Sequence, residues 1–83
     1  MDATALQTKI REFLRTELGV EEGSISAHTP LVTTGLIDSV GLVRLAALLE
    51  AGTGIVIPDQ DINAYNFDSL EKIGAYIQRR VPR

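Results

Sequence analysis

Asp38-Ser39-Val40-Gly41-Leu42-Val43-Arg44-Leu45-Ala46-Ala47-Leu48-Leu49-Glu50-Ala51-Gly52 decides the fold. An acid and a hydroxyl, both favoured where a helix begins, precede a run that is apolar nearly throughout. Gly52 then stands where a left-handed residue would end it. We read residues 39–51 as a helix and as the most buried one in the chain, since it has too few polar residues for a broad solvent face. Such a helix needs other helices around it.

The flanking sequence supplies them. Leu6, Ile10, Phe13, Leu14 and Leu18 recur at three- and four-residue spacing, with Lys9, Arg11, Glu12 and Arg15 on the other faces, so the first helix runs over about 5–18. Thr4-Ala5-Leu6-Gln7 reads as its capping box and Gly19 as its stop. At the other end, Leu70, Ile73, Ile77 and Val81 keep helical spacing until Pro82, behind the capping box Asp68-Ser69-Leu70-Glu71, giving a last helix over about 69–80. Asp59 to Asn66 suits one short helix, about 60–66, anchored by Ile62 and Tyr65. Ile55-Val56-Ile57 has strand composition, but Pro58 follows at once and no second strand exists to pair with it, so it is an extended connector.

Between Gly19 and Asp38 no period persists. A loop this long in a compact domain is expected to be functional. Its apolar residues Val20, Ile25, Leu31, Val32, Leu36 and Ile37, stiffened by Pro30, predict a segment pinned across the helices. The sum is an all-α four-helix bundle, three main helices and one short one, with a long loop between the first two. Residues 1–83 form one domain without repeat or linker.

Composition narrows the function. The hydrophobic fraction of 45% and charged fraction of 23% are those of a globular chain. Absence of Cys removes disulfides, zinc-thiolate sites and thiol nucleophiles. The start Met1-Asp2-Ala3-Thr4 is not a secretory signal and no apolar run approaches the roughly 18 residues of a membrane span, which predicts a cytoplasmic location without membrane insertion. The net charge of −3 is uneven: Glu17, Glu21, Glu22, Asp38, Glu50, Asp59, Asp61 and Asp68 face only Arg44 in the middle, whereas Arg79, Arg80 and Arg83 gather at the end. The acidic middle disfavours nucleic acid and favours basic protein surfaces.

Few residues can carry chemistry. The lone His28 lies in the loop, far in sequence from any Ser-acid pair, and reads as a surface histidine rather than a general base. The carboxylates are scattered, so no metal site is expected, and Asp59 and Asp61 suit a helix start. Gly35-Leu36-Ile37-Asp38-Ser39-Val40 differs: Gly35 permits a tight approach, Leu36 and Ile37 anchor the loop, and an acid-hydroxyl pair falls at a helix N-terminus. On the residues alone two readings stand. Asp38 only caps the helix with Ser39 in its first turn, or Ser39 bears a phosphate ester where free amides and the helix dipole tolerate negative charge.

From the first helix to Ile77 the chain resembles the acyl carrier protein family. The resemblance rests on Gly35-Leu36-Ile37-Asp38-Ser39-Val40, on Thr29-Pro30-Leu31 ahead of it, on Gly54-Ile55-Val56-Ile57-Pro58, and on Asn66-Phe67-Asp68-Ser69-Leu70. It implies an acyl-carrier-like bundle and a non-catalytic monomer carrying 4'-phosphopantetheine, donated by coenzyme A, on Ser39. Asp38, Gly35, Leu36, Ile37 and Val40 then frame the arm. A second Asp-Ser-Leu at Asp68-Ser69-Leu70 corresponds to the start of the family's last helix, which bears no arm. Implied partners are a phosphopantetheinyl transferase, an adenylating or acyl-loading enzyme, and downstream condensing, tailoring or transfer enzymes, docking at Val40, Val43 and Arg44. Fatty-acid carriers resemble one another in an acidic docking helix, whereas Val40, Gly41 and Val43 occupy those places here. Leu36-Ile37-Asp38-Ser39 and Asn66-Phe67 look more like discrete carriers of amino acids or short hydroxy acids, in nonribosomal-peptide or polyketide-type pathways or aminoacyl transfer. The alternatives are a fatty-acid-synthesis carrier and an unmodified interaction module of the same fold.

Overall fold

The computed structural model describes residues 3–21 and 23–81; the expectations that involve Asp2, Glu22, Pro82 and Arg83 lie outside them. These residues form an all-α bundle of four helices: α1 (Ala3–Leu18), α2 (Ser39–Thr53), α3 (Ala64–Phe67) and α4 (Leu70–Arg80), with a 3-10 turn at Asp59–Asp61. No described residue is in a strand, and no helix is long and apolar enough to cross a membrane.

The amphipathic stripes meet in one core. Leu6, Ile10, Phe13 and Leu14 of α1 pack with Leu42, Leu45, Ala46 and Leu49 of α2 and with Leu70, Ile73, Tyr76 and Ile77 of α4. Three residues of the long loop, Ile25, Leu31 and Ile37, complete it. Burying side chains such as Leu31 and Ile37 stabilises by roughly 1.5–3 kcal/mol each, which explains why so long a loop keeps one path. Backbone pairing adds to this: the Arg11 guanidinium donates to the Ile25 carbonyl at 2.7 Å, and the Glu71 amide to the Ala27 carbonyl at 3.0 Å.

Several expectations are corrected. Thr4 is already helical, and the Thr8 hydroxyl donates back to its carbonyl at 2.9 Å, so Thr4-Gln7 is no capping box, which requires a non-helical cap. Helix α2 continues past Gly52 to Thr53, whose hydroxyl bonds the Leu49 carbonyl at 2.6 Å. The left-handed stop is Gly54 at φ +78°, its amide on the Glu50 carbonyl. Nor is α2 buried all round, because Val40 and Val43 are 63% and 59% exposed. The segment 60–66 divides into the 3-10 turn and α3; Tyr65 is 82% exposed, and Asn66 and Phe67 turn inward instead. In the loop, Leu36 is exposed and does not anchor.

Candidate functional site

The loop enters α2 through a sequence of local bonds. The Gly35 amide donates to the Val32 carbonyl at 3.0 Å, closing a turn in which Gly35 sits at φ +79°. Nothing lies within 4 Å of where its Cβ would be, so this glycine supplies a left-handed backbone rather than the close approach read from the sequence. The Ile37 amide then returns to the Leu31 carbonyl at 2.9 Å, and the Ile37 side chain enters the core at 2% exposure. Leu36, between them, faces solvent.

Asp38 is the N-cap of α2. Its backbone is extended (φ −86°, ψ −179°), its Oδ1 accepts the Gly41 amide at 2.7 Å, and its carbonyl accepts the Leu42 amide at 2.9 Å. Among the described residues the amides of Ser39 and Val40 meet no acceptor, and they lie at the positive end of the helix dipole. Ser39 is exposed, and its hydroxyl makes no hydrogen bond with any described residue. A serine in this position can take a phosphodiester: the oxygen is reachable, the first turn tolerates the charge, and the side chain has no other task. The residues present fit a covalently attached phosphate group.

The second Asp-Ser pair is arranged differently. Ser69 is buried, and its hydroxyl accepts the Lys72 amide at 3.1 Å as the N-cap of α4. Asp68 is therefore not the cap that the sequence reading made it. It ends α3, and its carboxylate reaches across to the loop: Oδ1 accepts the amides of Leu31, Val32 and Thr33 at 3.1, 2.7 and 2.9 Å, and Oδ2 accepts the Thr33 hydroxyl at 3.0 Å. These bonds, led by that from the Thr33 amide and opposed by burial, hold the Asp68 carboxyl below the ordinary range. Spacing in sequence offered no sign of this contact, since it joins segments more than thirty residues apart.

Gly41 was also missed. A Cβ there would lie 3.2 Å from both Asp38 Oδ1 and Ile37 Cγ2, so the cap and the Ile37 side chain would each have to give by a few tenths of an ångström, and 3.5 Å from Leu18 of α1, an ordinary contact.

The face of α2 next to Ser39 is apolar. Val43 lies one turn on from both Ser39 and Val40, with Ala47 exposed beyond it. The charges of this helix face neighbours within the protein: Arg44 pairs with Glu17 at 3.6 Å, and the Glu50 carboxylate accepts the Ile57 amide at 3.0 Å. His28 is exposed, with its Nδ1 2.7 Å from the Glu71 carboxylate. No cluster of possible metal ligands occurs among the described residues. A groove of about 230 Å³ between α1 and the loop is lined by Thr8, Arg11, Arg15, Val20 and Ile25 among others and contains none of the candidate residues. The C-terminal arginines brace the fold: Arg80 donates to the Val56 carbonyl at 2.7 Å and pairs with Asp61 at 3.4 Å, and Arg79 reaches Asn66 at 3.5 Å.

The chain is similar to known proteins over most of its length. Residues 8–77 match the family model described as the phosphopantetheine attachment site. The acyl carrier protein of Syntrophobacter fumaroxidans is 32% identical over 77 residues, 87% of this chain and 95% of that protein. The acyl carrier protein of Akkermansia muciniphila is 27% identical over 79 residues, 95% and 96% of the two chains.

Proposed function

The chain belongs to the acyl carrier protein family and carries a covalent 4'-phosphopantetheine group, and from that premise we propose that Ser39 is its attachment residue and that the protein is a non-catalytic shuttle. One contrast carries the assignment: of two Asp-Ser pairs, Ser39 is exposed with an unengaged hydroxyl, whereas Ser69 is buried and caps α4. When bound, the group supplies a flexible arm whose terminal thiol holds an acyl cargo as a thioester. The protein's own residues present the hydroxyl, orient it and accept partners. Asp38 keeps the first turn of α2 closed and, with its carboxylate turned to Gly41, leaves the Ser39 oxygen open to a transferase. Tethering raises the effective concentration of cargo at each partner, so brief docking suffices.

The cargo class follows from the docking face. A partner reading Val40 and Val43 meets side chains without charge, while Arg44 and Glu50 are engaged by Glu17 and Ile57. This supports adenylating and transfer enzymes that handle amino acids or short hydroxy acids rather than the basic enzymes of fatty-acid synthesis. The experiment is intact mass after incubation with coenzyme A and a broad-specificity phosphopantetheinyl transferase. Wild type and Ser69→Ala gain one phosphopantetheine and Ser39→Ala gains none; loading that survives Ser39→Ala sinks the assignment.

A further inference from the structure

We propose that Asp68 is a positioning residue for modification at Ser39, acting through the loop that delivers this serine to α2; the proposal rests on Ser39 being the attachment residue. Three consecutive amides, those of Leu31, Val32 and Thr33, converge on Asp68 Oδ1, and the Asp68 carbonyl accepts the Leu31 amide at 2.6 Å. Two of the three bonded residues have an onward tie. The Val32 carbonyl holds the Gly35 amide, and the Leu31 carbonyl holds the Ile37 amide. Ile37 directly precedes Asp38, whose carboxylate closes the first turn carrying Ser39. Hydrogen bonds thus link Asp68 to Ile37 by way of Leu31, and the backbone itself carries the link on through Asp38 to Ser39. The loop has no regular backbone pairing of its own, so one carboxylate is what its amides share.

Without that carboxylate the Val32 and Thr33 amides lose their acceptor, the Leu31 amide keeps only the Asp68 carbonyl, and the turn at 32–35 is free to shift. The oxygen of Ser39 then moves relative to a transferase still docked on the untouched face of α2. Misplacement by about 1 Å can cost a reaction up to a hundredfold in rate, so a tenfold loss is the expected order. It falls on kcat. General destabilisation has another signature: it lowers the fraction of competent carrier, which raises the apparent KM and leaves kcat alone.

The test measures kcat and KM for the whole chain as substrate of a phosphopantetheinyl transferase with coenzyme A, at a temperature where circular dichroism shows every variant folded. Asp68→Ala is expected to lower kcat about tenfold with KM nearly unchanged, and to shift the amide resonances of Ile37, Asp38 and Ser39. Asp68→Asn, which keeps one acceptor oxygen, falls between. Ser69→Ala, which loosens the same helix start without touching the loop, keeps the wild-type kcat. A wild-type kcat in Asp68→Ala, or an equal loss in Ser69→Ala, overturns the proposal. If Asp68→Ala does not fold, Asp68→Asn and Thr33→Val decide, and wild-type kcat in both overturns it. A wild type that is not loaded, or loading that survives Ser39→Ala, removes instead the assignment beneath it.

Discussion

At Gly41 two demands meet: its amide is the one that Asp38 caps, and a Cβ would press on both the Asp38 carboxylate and Ile37. In an open helix Gly→Ala gains about 1 kcal/mol of propensity. Here the crowded atoms cannot easily yield, since Asp38 Oδ1 is held by a 2.7 Å bond and Ile37 is buried. Overpacking typically costs about 1–3 kcal/mol, so Gly41→Ala is expected to be net destabilising by about 1 kcal/mol. Urea unfolding checks this; an unchanged or higher midpoint means that the cap relaxes freely. The neighbouring cap is simpler. Asp38→Ala lowers stability by about 1 kcal/mol and Asp38→Asn by much less, because the amide oxygen still accepts from Gly41. The cap was legible in the sequence because Asp-Ser before an apolar run has few meanings. The constraint on Gly41 was not, because it depends on where the Asp38 and Ile37 side chains are held, which residue type does not say.

Helix α4 is tied at both ends by groups that titrate. At its start, the Asp68 carboxyl is held low by the amides it accepts, that of Thr33 first. A carboxyl whose folded pKa lies below its unfolded value of about 3.9 stabilises fully above that value, and the contribution disappears as pH falls through the folded pKa. Urea midpoints of the wild type therefore fall in acid below about pH 4, and Asp68→Asn shows a smaller fall; parallel curves would show that Asp68 does not contribute. Toward the other end, burial, and then the hydrogen bond to Asp61 at 2.7 Å, push the Tyr76 hydroxyl above its ordinary value. The sign is opposite: this stabilisation is complete below about pH 10 and is lost as pH rises through the folded pKa. Alkaline titration of stability therefore falls less in Tyr76→Phe, which already costs about 1 kcal/mol at neutral pH by removing one of the two partners of Asp61, Arg80 remaining. The long elements could be read from sequence because α1, α2 and α4 repeat their apolar stripes over several turns. The four-residue α3 is too short for a period to say which aromatic turns inward, so Tyr65 was placed inside and Phe67 was not. Gly52 and Gly54 are equivalent stops by composition. The Thr53 hydroxyl on Leu49 and the left-handed backbone of Gly54 decide between them.

Across the whole molecule, the proposed docking face is less charged than the chain is. The chain is net −3, and beside Ser39 the exposed Val40 and Val43 stand with Asp38, whose carboxylate caps α2, while Arg44 makes an exposed pair with Glu17 and Glu50 accepts the Ile57 amide. Ions screen exposed charges within about 10 Å at 0.1 M salt but leave apolar burial intact. A partner that recognises a basic-on-acidic surface would lose association steeply as salt rises. A partner that buries two valines forfeits affinity when they are shortened, since each deleted methylene removes about 0.8 kcal/mol of burial. The two Val→Ala changes delete four methylenes, and with about half of that burial made on docking the loss is about 1.6 kcal/mol, so for the cognate loading enzyme Val40→Ala with Val43→Ala is expected to raise KM about tenfold while kcat holds. The wild-type KM is expected to change less than about threefold when salt rises from low to several times physiological. Arg44→Ala matters little, because an exposed pair such as Arg44–Glu17 contributes about 0–1 kcal/mol to either the fold or the encounter. The opposite pattern, in which salt and Arg44→Ala dominate and the valines are silent, would place recognition on the acidic surface and return the protein to the fatty-acid type of carrier.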